Sequence, residues 1–246
     1  MKVRTFLTSL AILFLGTSVA FAAGRFSVTP REYDPMHTFL VQAAWLDGIG
    51  CPSLSAYKDP ACNPNNDSSD NRNQGLLLAK TGPTTTNASA FADIRGVTGP
   101  ITELGYDLRK PVNAVAANGS HCGAGAPRFN VETTHAFYFI GCNSPPAVQT
   151  QAGLGWIRLR WGGSTPLLGF NAASGALEAV TGDVKRISIV FDEGQDTGPD
   201  FFGLAVLDNI DVNATLVGRG ENTENNKGKN KDKGDDGDNN DQGEND

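Results

Sequence analysis

The stretch that decides the fold is residues 184–218, VKRISIVFDEGQDTGPDFFGLAVLDNIDVNATLVG. In its first part Ile187, Ile189 and Phe191 share one face of an extended chain, and this period of two is typical of a half-buried β-strand. Acidic residues, Gly and Pro then interrupt the periodicity over residues 192–200, which predicts a loop. The segment is therefore interpreted as a strand, an acidic loop and a second strand.

The second strand, Phe202 to Asn213, places a carboxylate among aliphatic residues. Burying an ion without a partner costs several kcal/mol. The sequence therefore predicts that Asp208 holds a cation, accepts backbone hydrogen bonds, pairs with Arg or Lys, or lies on a β-bulge that turns it outward. The residues that share its face in an unbroken strand are Leu204, Val206, Ile210 and Val212.

The end of this strand, Leu207 to Val212 with the sequence LDNIDV, resembles the closing strand of secreted jelly-roll β-sandwiches, including many carbohydrate-binding modules. The resemblance covers about the last third of the folding region and bears on the fold rather than on function. It also implies a structural calcium ion near the final strand, because modules of this kind often carry one.

The acidic loop and Asp208 supply oxygen donors that suit calcium, which takes roughly six to eight oxygen ligands and tolerates irregular loops. An acidic surface loop without a bound ion is the alternative interpretation. Two of the loop carboxylates could also converge as the catalytic pair of a glycoside hydrolase. The candidate calcium ligands are Asp192, Glu193, Asp196, Asp200 and Asp208.

Residues 1–22 have the features of a signal peptide. Lys2 and Arg4 precede a largely apolar run, Phe6 to Leu15, and Ala20 to Ala22 form a small-x-small cleavage site. The apolar run is shorter than the ~20 residues that a membrane helix needs. We therefore expect a secreted protein, extracellular or periplasmic, without a membrane span.

The remainder divides into a folding region and a tail. Residues 23–220 are long enough for one β-sandwich with a sizeable core. Residues 221–246 contain no aliphatic or aromatic residue and are expected to be disordered. The net charge of -7 is the sum of +2 in the signal peptide, -4 in the folding region and -5 in the tail, so nothing basic indicates a nucleic-acid partner.

Four cysteines lie in the expected mature chain: Cys51, Cys62, Cys122 and Cys142. An even number in an oxidising compartment indicates two disulfides. Three connectivities are possible, and we expect Cys51 with Cys62 and Cys122 with Cys142 because each pair closes a short loop. A zinc site is the alternative, but the spacings are not of the C-x-x-C type and only three histidines are available.

Short strands account for the rest of the folding region, because no long stretch has a helical period. The pattern predicts an all-β fold, a single antiparallel sandwich of jelly-roll type. Residues 143–155 are expected to form a polar connection, and residues 162–181 a long excursion. The predicted strands are His37–Leu46, Gly75–Lys80, Ala90–Val97, Ile101–Arg109, Phe129–Val131, His135–Cys142 and Trp156–Trp161.

The last of these strands carries the one group in the sequence that resembles a ligand platform. Its aliphatic face is expected to be core, which leaves a tryptophan between two cations on the opposite face. The alternative is a tryptophan lying on Arg stems on an ordinary solvated face. One face carries Ile157, Leu159 and Trp161, and the other carries Trp156, Arg158 and Arg160.

The sequence has no local signature of a catalytic site, neither G-x-S-x-G nor H-E-x-x-H, and no motif surrounds its histidines. We therefore expect a secreted, non-catalytic β-sandwich that binds a glycan or another surface polymer through Trp156, Arg158 and Arg160. Calcium is the one expected cofactor. A structural or adhesive extracellular protein without a ligand pocket, or a carboxylate-dependent glycoside hydrolase, are the alternatives.

Overall fold

The computed structural model describes residues 26–51, 73–82, 88–110, 127–141, 145–153, 155–192 and 203–217. The expected signal peptide, the expected tail and three of the cysteines, Cys62, Cys122 and Cys142, lie outside these ranges. The described ranges contain strands and no helix, and hence no helix long and apolar enough to cross a membrane.

Fourteen strands within the described ranges form two antiparallel sheets, which confirms the all-β sandwich. They are β1 (Ser27–Tyr33), β2 (Val41–Leu46), β3 (Gly75–Lys80), β4 (Ser89–Arg95), β5 (Glu103–Arg109), β6 (Arg128–Thr133), β7 (Phe137–Ile140), β8 (Val148–Gly153), β9 (Trp156–Gly162), β10 (Leu168–Asn171), β11 (Leu177–Ala179), β12 (Val184–Phe191), β13 (Leu204–Val212) and β14 (Thr215–Val217). Sheet A has the order β1-β4-β12-β6-β7-β10-β11. Sheet B has the order β2-β3-β13-β5-β9-β8, and β14 pairs with β13.

The strand order is that of a jelly roll. Sheet B contains the run β3-β13-β5-β9 and sheet A the run β4-β12-β6-β7; along the chain, these eight strands change sheet at every step except the β6–β7 hairpin. β13 lies between β3 and β5, and β12 lies between β4 and β6. The stretch from Val184 to Val217 thus supplies a central strand to each sheet, as expected of the segment that closes the fold.

The predicted core faces of β12 and β9 are confirmed. In β12, Ile187, Ile189 and Phe191 are at most 1% exposed and belong to the core between the sheets. In β9 the same core contains the aliphatic face of the predicted alternation, Ile157, Leu159 and Trp161. The period-two pattern therefore gave the correct inward side for both strands.

An aromatic cluster joins the two sheets at the centre of the core. The ring centroid of Tyr106 lies 5.4 Å from that of Phe129 and 5.5 Å from that of Trp161. The polar atoms of the cluster are satisfied, because the Tyr106 hydroxyl donates to the carbonyl of Pro127 and the Trp161 indole donates to that of Pro145. Tyrosine and tryptophan can therefore be buried here without an unpaired donor.

Strand β13 changes phase halfway along its length. Before Asn209, the odd-numbered residues Ala205 and Leu207 point into the core between the sheets, and after it the even-numbered residues Ile210 and Val212 do so. An unbroken strand would keep one parity throughout. The single inward face predicted for β13 is therefore wrong.

A β-bulge at Asn209 causes the change. The pairing of β13 with β5 shifts register between Asp208 and Asp211, and Asn209 has a φ of 45°, a left-handed conformation that asparagine tolerates better than most residues. Asp208 consequently lies on the outer face of sheet B, separated from the aliphatic residues that follow it. It is nevertheless only 3% exposed.

Three strands lie in segments that the sequence indicated as connections: β8 within residues 143–155, and β10 and β11 within residues 162–181. β8 is an edge strand with Val148 exposed by 67%, so burial imposes no alternation on its sequence. β10 contains Gly169, where a Cβ would lie 2.9 Å from the Cβ of Tyr138. Glycine therefore permits the close approach of β10 to β7 and at the same time weakens the strand pattern.

The edges β1 and β2 meet at one corner of the sandwich. The indole of Trp45 donates to the carbonyl of Val28 at 3.0 Å, and Trp45 packs against the core. The backbone N–H of Ala43 donates to the Glu32 carboxylate at 2.9 Å. The Glu32 side chain thus accepts from a backbone N–H of the edge strand β2, which would otherwise be free to pair with a strand of another chain.

Candidate functional site

The predicted exposed platform is not present at Trp156. This residue lies on the outer face of sheet B, as the alternation of β9 indicated, but it is 0% exposed. A ring without exposed surface cannot stack on a sugar. Alternation identifies the face of a strand, but it does not say whether that face is covered. Trp156 belongs to an apolar cluster with Cys51, Leu77, Ala79 and Val206.

Arg158 forms a two-point ion pair with Asp107 on the neighbouring strand. Its Nε donates to Oδ1 of Asp107 at 2.8 Å and its Nη2 donates to Oδ2 at 2.7 Å. The two residues face each other in the β5–β9 register. Such a two-point contact between guanidinium and carboxylate is among the strong polar interactions in proteins. Because Asp107 is fully buried and Arg158 only 17% exposed, the pair is internal to sheet B.

Arg160 reaches across β5 to β13. Its Nε lies 3.2 Å from Oδ2 of Asp211, and its Nη2 lies 3.5 Å from Oδ1 of Asp107. The side chain crosses β5 at Gly105, where any Cβ would overlap Cδ of Arg160. Glycine at that position therefore opens the path that lets one arginine connect three strands.

The bulge brings Asn209 and Asp208 into the same group. The Asn209 amide donates to Oδ2 of Asp107 at 2.9 Å. The carboxylate of Asp208 accepts the backbone N–H of Cys51 at 2.7 Å and that of Asn209 at 2.6 Å. Of the predicted roles for Asp208, acceptance of backbone hydrogen bonds and position at a bulge are both observed.

We call the set Asp107, Arg158, Arg160, Asn209 and Asp211 the polar network. Burial raises the pKa of Asp107, and Arg158 and Arg160 oppose that rise. Burial also raises the pKa of Asp211, to about 7; Arg160 opposes the rise, and the nearby carboxylate of Glu103 adds to it. The network therefore joins β13, β5 and β9 through charges that are largely withdrawn from water.

The structure does not bring the two described calcium candidates together. Asp192 follows β12 of sheet A, whereas Asp208 lies in β13 of sheet B. Both carboxylate oxygens of Asp192 accept hydrogen bonds from Arg128, at 2.7 and 2.6 Å, and Lys80 donates to its backbone carbonyl at 2.7 Å. Burial works against the charge of Asp192, but Arg128 lowers the pKa of this carboxyl below its usual value.

Calcium remains a prediction that depends on the acidic loop. Glu193, Asp196 and Asp200 lie outside the described residues, and the described ranges contain no group of three or more potential metal ligands. The disulfide pairing also remains a prediction. Cys51 is buried and is not a free cysteine, whereas Cys62, Cys122 and Cys142 lie outside the described ranges.

The outer face of sheet A exposes an aromatic patch, which we define as Phe137, Phe139, Phe170 and Leu177. Phe139 on β7 faces Phe170 on β10, which in turn faces Leu177 on β11. The rings of Phe137 and Phe139 are 5.2 Å apart. Phe170 is 37% exposed and Leu177 is 47% exposed. The patch thus crosses three neighbouring strands at one end of the sheet.

Polar side chains continue this row towards the other end of the sheet. Asn130 on β6 faces Phe139, Ser188 on β12 faces Asn130, and Asp93 on β4 faces Ser188. Oδ1 of Asn130 has no hydrogen-bond partner in the described part of the chain. The Arg128 guanidinium lies 5.6 Å from the centre of the Phe139 ring. With strands spaced at about 4.8 Å, the row from Asp93 to Leu177 is about 24 Å long.

The predicted strand His135–Cys142 contains β7, but its sequence did not indicate the surface that β7 helps to form. The run FYFI, Phe137 to Ile140, is apolar on both faces and indicated a strand inside a sheet, and β7 does lie between β6 and β10. Tyr138 and Ile140 are buried, whereas the two phenylalanines on the other face are only half-buried. The apolar outer face of an interior strand was the available signal for this surface.

Asp208→Ala should lower the free energy of unfolding by roughly 2 to 5 kcal/mol, because two buried backbone N–H groups lose their acceptor. If Asp208 holds no ion, the loss should be the same with calcium and with chelator. Thermal melts of the wild type and the variant measure this, with the exposed Asp183→Ala as control. A chelator effect that is present in the wild type and absent in Asp208→Ala would instead place calcium at Asp208.

Asp211→Asn should change the pH dependence of stability. The folded pKa of about 7 exceeds the ~3.9 of an unfolded aspartate, so between these values the folded protein holds a proton that the unfolded chain has released. The stability that this proton contributes is complete below about pH 4 and is lost as the pH rises towards 7. Relative to the wild type, the variant should therefore gain roughly 1 to 3 kcal/mol between about pH 5 and about pH 8. Urea titrations that give the same difference at both pH values would contradict the assignment.

The function of this chain has to be argued from its own geometry. Comparison with protein-family models, with curated proteins and with solved structures finds no match. The geometry separates two sets of residues: the polar network, which is largely buried on the outer face of sheet B, and the aromatic patch with its polar row, which lies on the outer face of sheet A and is exposed at Phe170 and Leu177.

Proposed function

We propose that this protein is a secreted, non-catalytic β-sandwich that binds a glycan or another surface polymer across the outer face of sheet A. The observation that carries the proposal is the register row of Asn130, Phe139, Phe170 and Leu177, in which Phe170 and Leu177 are exposed and the other two are half-buried. The signal peptide predicted at residues 1–22 supports export. The binding face differs from the one expected at Trp156, Arg158 and Arg160, because those three side chains are packed or paired within sheet B.

The chemistry of the row suits a sugar polymer. A pyranose ring has an apolar face of C–H groups that packs on an aromatic ring, and hydroxyl groups at its rim that need hydrogen-bond partners. Phe139 and Phe170 supply rings, and the half-buried Asn130 places an amide beside them in the same row, whereas Ser188 is only 7% exposed. A neighbouring group with both donors and acceptors is what orients such a ligand in a protein site.

The carboxylates of sheet B favour a structural role over hydrolysis. Asp107, Asp208 and Asp211 are each at most 3% exposed and are engaged by neighbouring donors. A hydrolase needs its acid and its nucleophile or base on both sides of a bond that the substrate presents to them. An adhesive protein that packs the aromatic patch against another protein is the second candidate, since exposed apolar patches also mark protein interfaces.

Phe170→Ala should weaken polymer binding by roughly threefold to tenfold, since an aromatic contact contributes about 0.5 to 1.5 kcal/mol beyond area burial. The side chain is 37% exposed, so the melting temperature should change little. The measurement is retention of the full chain in affinity gels that each contain one of a panel of plant, algal and bacterial polysaccharides.

The matched control is Phe39→Ala, which removes a ring that is 89% exposed in the connection between β1 and β2. The proposal requires that the wild type and the control be retained alike by at least one polysaccharide and that Phe170→Ala be retained less. No retention of the wild type by any member of the panel, or equal retention of all three proteins, contradicts it. Self-association that Phe170→Ala abolishes would support the adhesive candidate instead.

A further inference from the structure

A shallow cleft of about 330 Å³ opens in sheet A at the charged end of the row. It lies where two strands separate: the pairing of β4 with β12 ends at Ile94 and Ile187, while β4 continues to Arg95 and β12 begins three residues earlier, at Val184. The backbone on both sides of this gap carries long side chains. The lining residues include Asp93, Arg95, Gly96, Val97, Lys185 and Arg186.

The lining has an excess of positive charge. Arg95, Lys185 and Arg186 are its cations and Asp93 is its one carboxylate. Asp93 lies 3.2 Å from Arg95 and 3.5 Å from Arg186, and Arg31, outside the cleft, lies 3.9 Å from the same carboxylate. The lining therefore has two more cations than carboxylates, on a protein whose net charge is -7, although Glu132 of β6 faces Arg186 beside the cleft.

These cations are held differently from those of the polar network. Arg158 has a two-point contact with Asp107 and is 17% exposed. In the cleft, the side chain of Arg95 is 60% exposed and that of Arg186 is 64% exposed. Ion pairs this exposed contribute little to stability. The guanidinium groups can therefore contact an external anion at a small cost in desolvation and in lost internal contacts.

We propose that the cleft binds the carboxylate groups of an acidic polysaccharide, a linear glycan containing uronic acids, whose adjoining sugar rings lie along the row to the aromatic patch. This inference rests on the proposed function and names its ligand class. Asp93 and Phe139 belong to one register row, three strands apart, which is about 14 Å at the usual strand spacing. A single polymer chain of a few sugars spans that distance, and arginine suits a planar carboxylate because it can donate to both oxygens.

The overall negative charge does not oppose this binding. At physiological ionic strength the Debye length is about 8 Å, so a charge acts mainly on its immediate surroundings. The carboxylates of the polar network lie on the outer face of sheet B, and packed sheets are about 10 Å apart. A polyanion on the outer face of sheet A is therefore affected chiefly by the cations of the cleft.

The experiment compares polygalacturonate as the free acid, the same polymer fully methyl-esterified, and poly-glutamate as a polyanion without sugar rings. The proteins are the full-length wild type, Arg186→Gln, the double variant Lys185→Gln/Arg186→Gln, and Arg109→Gln as a matched control. Arg109 is exposed at the end of β5 in sheet B. Both cleft variants leave Arg95 and Arg31 beside Asp93, and melting temperatures check that they fold.

The wild type and Arg109→Gln should bind the free acid more tightly than the ester, and both should bind poly-glutamate weakly. Arg186→Gln should weaken binding of the free acid about twofold to fivefold and the double variant roughly fivefold to twentyfold, at the usual strength of exposed ion pairs. Neither variant should change binding of the ester. The preference of the wild type for the free acid should shrink as salt is added.

Equal binding of acid and ester by the wild type, with Phe170→Ala weakening both, overturns this inference and leaves the proposed function standing. Binding of poly-glutamate as tight as that of polygalacturonate overturns the glycan as the occupant of the cleft. No binding of either form of polygalacturonate overturns the inference, and the proposed function then depends on the wider panel of polysaccharides.

Discussion

A carboxylate buried in the middle of sheet B, that of Asp107, is the constraint on which the surrounding structure depends. It lies on β5 between β13 and β9 and has no exposed surface. β9 supplies two guanidinium donors from Arg158, and β13 supplies the amide of Asn209. Removing one partner from a buried ion pair typically costs about 3 to 5 kcal/mol, so the three strands are held in one register by this group.

The bulge in β13 helps to supply the hydrogen-bond partners that the buried carboxylate of Asp107 needs. In an unbroken strand, the residues after Asp208 would keep their parity and Ile210 would face outward. The extra residue at Asn209 turns Ile210 into the core and leaves Asp208 and Asp211 on the outer face. Gly105 then allows Arg160 to cross β5 and reach Asp211. The sequence of β13 therefore places Asp208 among aliphatic residues because the strand changes its inward face at Asn209.

The parts of this fold that depend on local pattern could be predicted from the sequence, and the parts that depend on pairing could not. The alternation in β12 and β9 identified the correct inward residues, and the motif in β13 indicated the jelly roll. The bulge at Asn209 depends on the register with β5, a contact about a hundred residues away along the chain. A local sequence pattern does not specify the register between strands so far apart in the sequence.

The candidate binding residues could not be predicted from local sequence either, because burial and exposure depend on how the strands pair. Trp156 lies on the predicted face of β9, but it is buried and cannot contact a ligand. Phe170, in contrast, lies in the segment 162–181, which was expected to be a long excursion. β10 lies between β7 and β11, but it is only four residues long and contains Gly169, so its sequence shows little alternation, and it leaves Phe170 37% exposed. Phe170, on which the proposed binding face depends, therefore lies in a segment whose sequence gave little indication of a strand.

Trp156 on the outer face of sheet B is buried, and we propose that the outer face of sheet A is the binding surface. Hydroxyl-radical footprinting of the full chain, with and without bound polysaccharide, tests it most directly because it reports the accessibility of individual side chains. We expect Trp156 to be unmodified in both states, and Phe170 and Phe139 to be oxidised in the free protein and protected in the complex. Oxidation of Trp156 in the free protein, or protection confined to strands of sheet B, would contradict it.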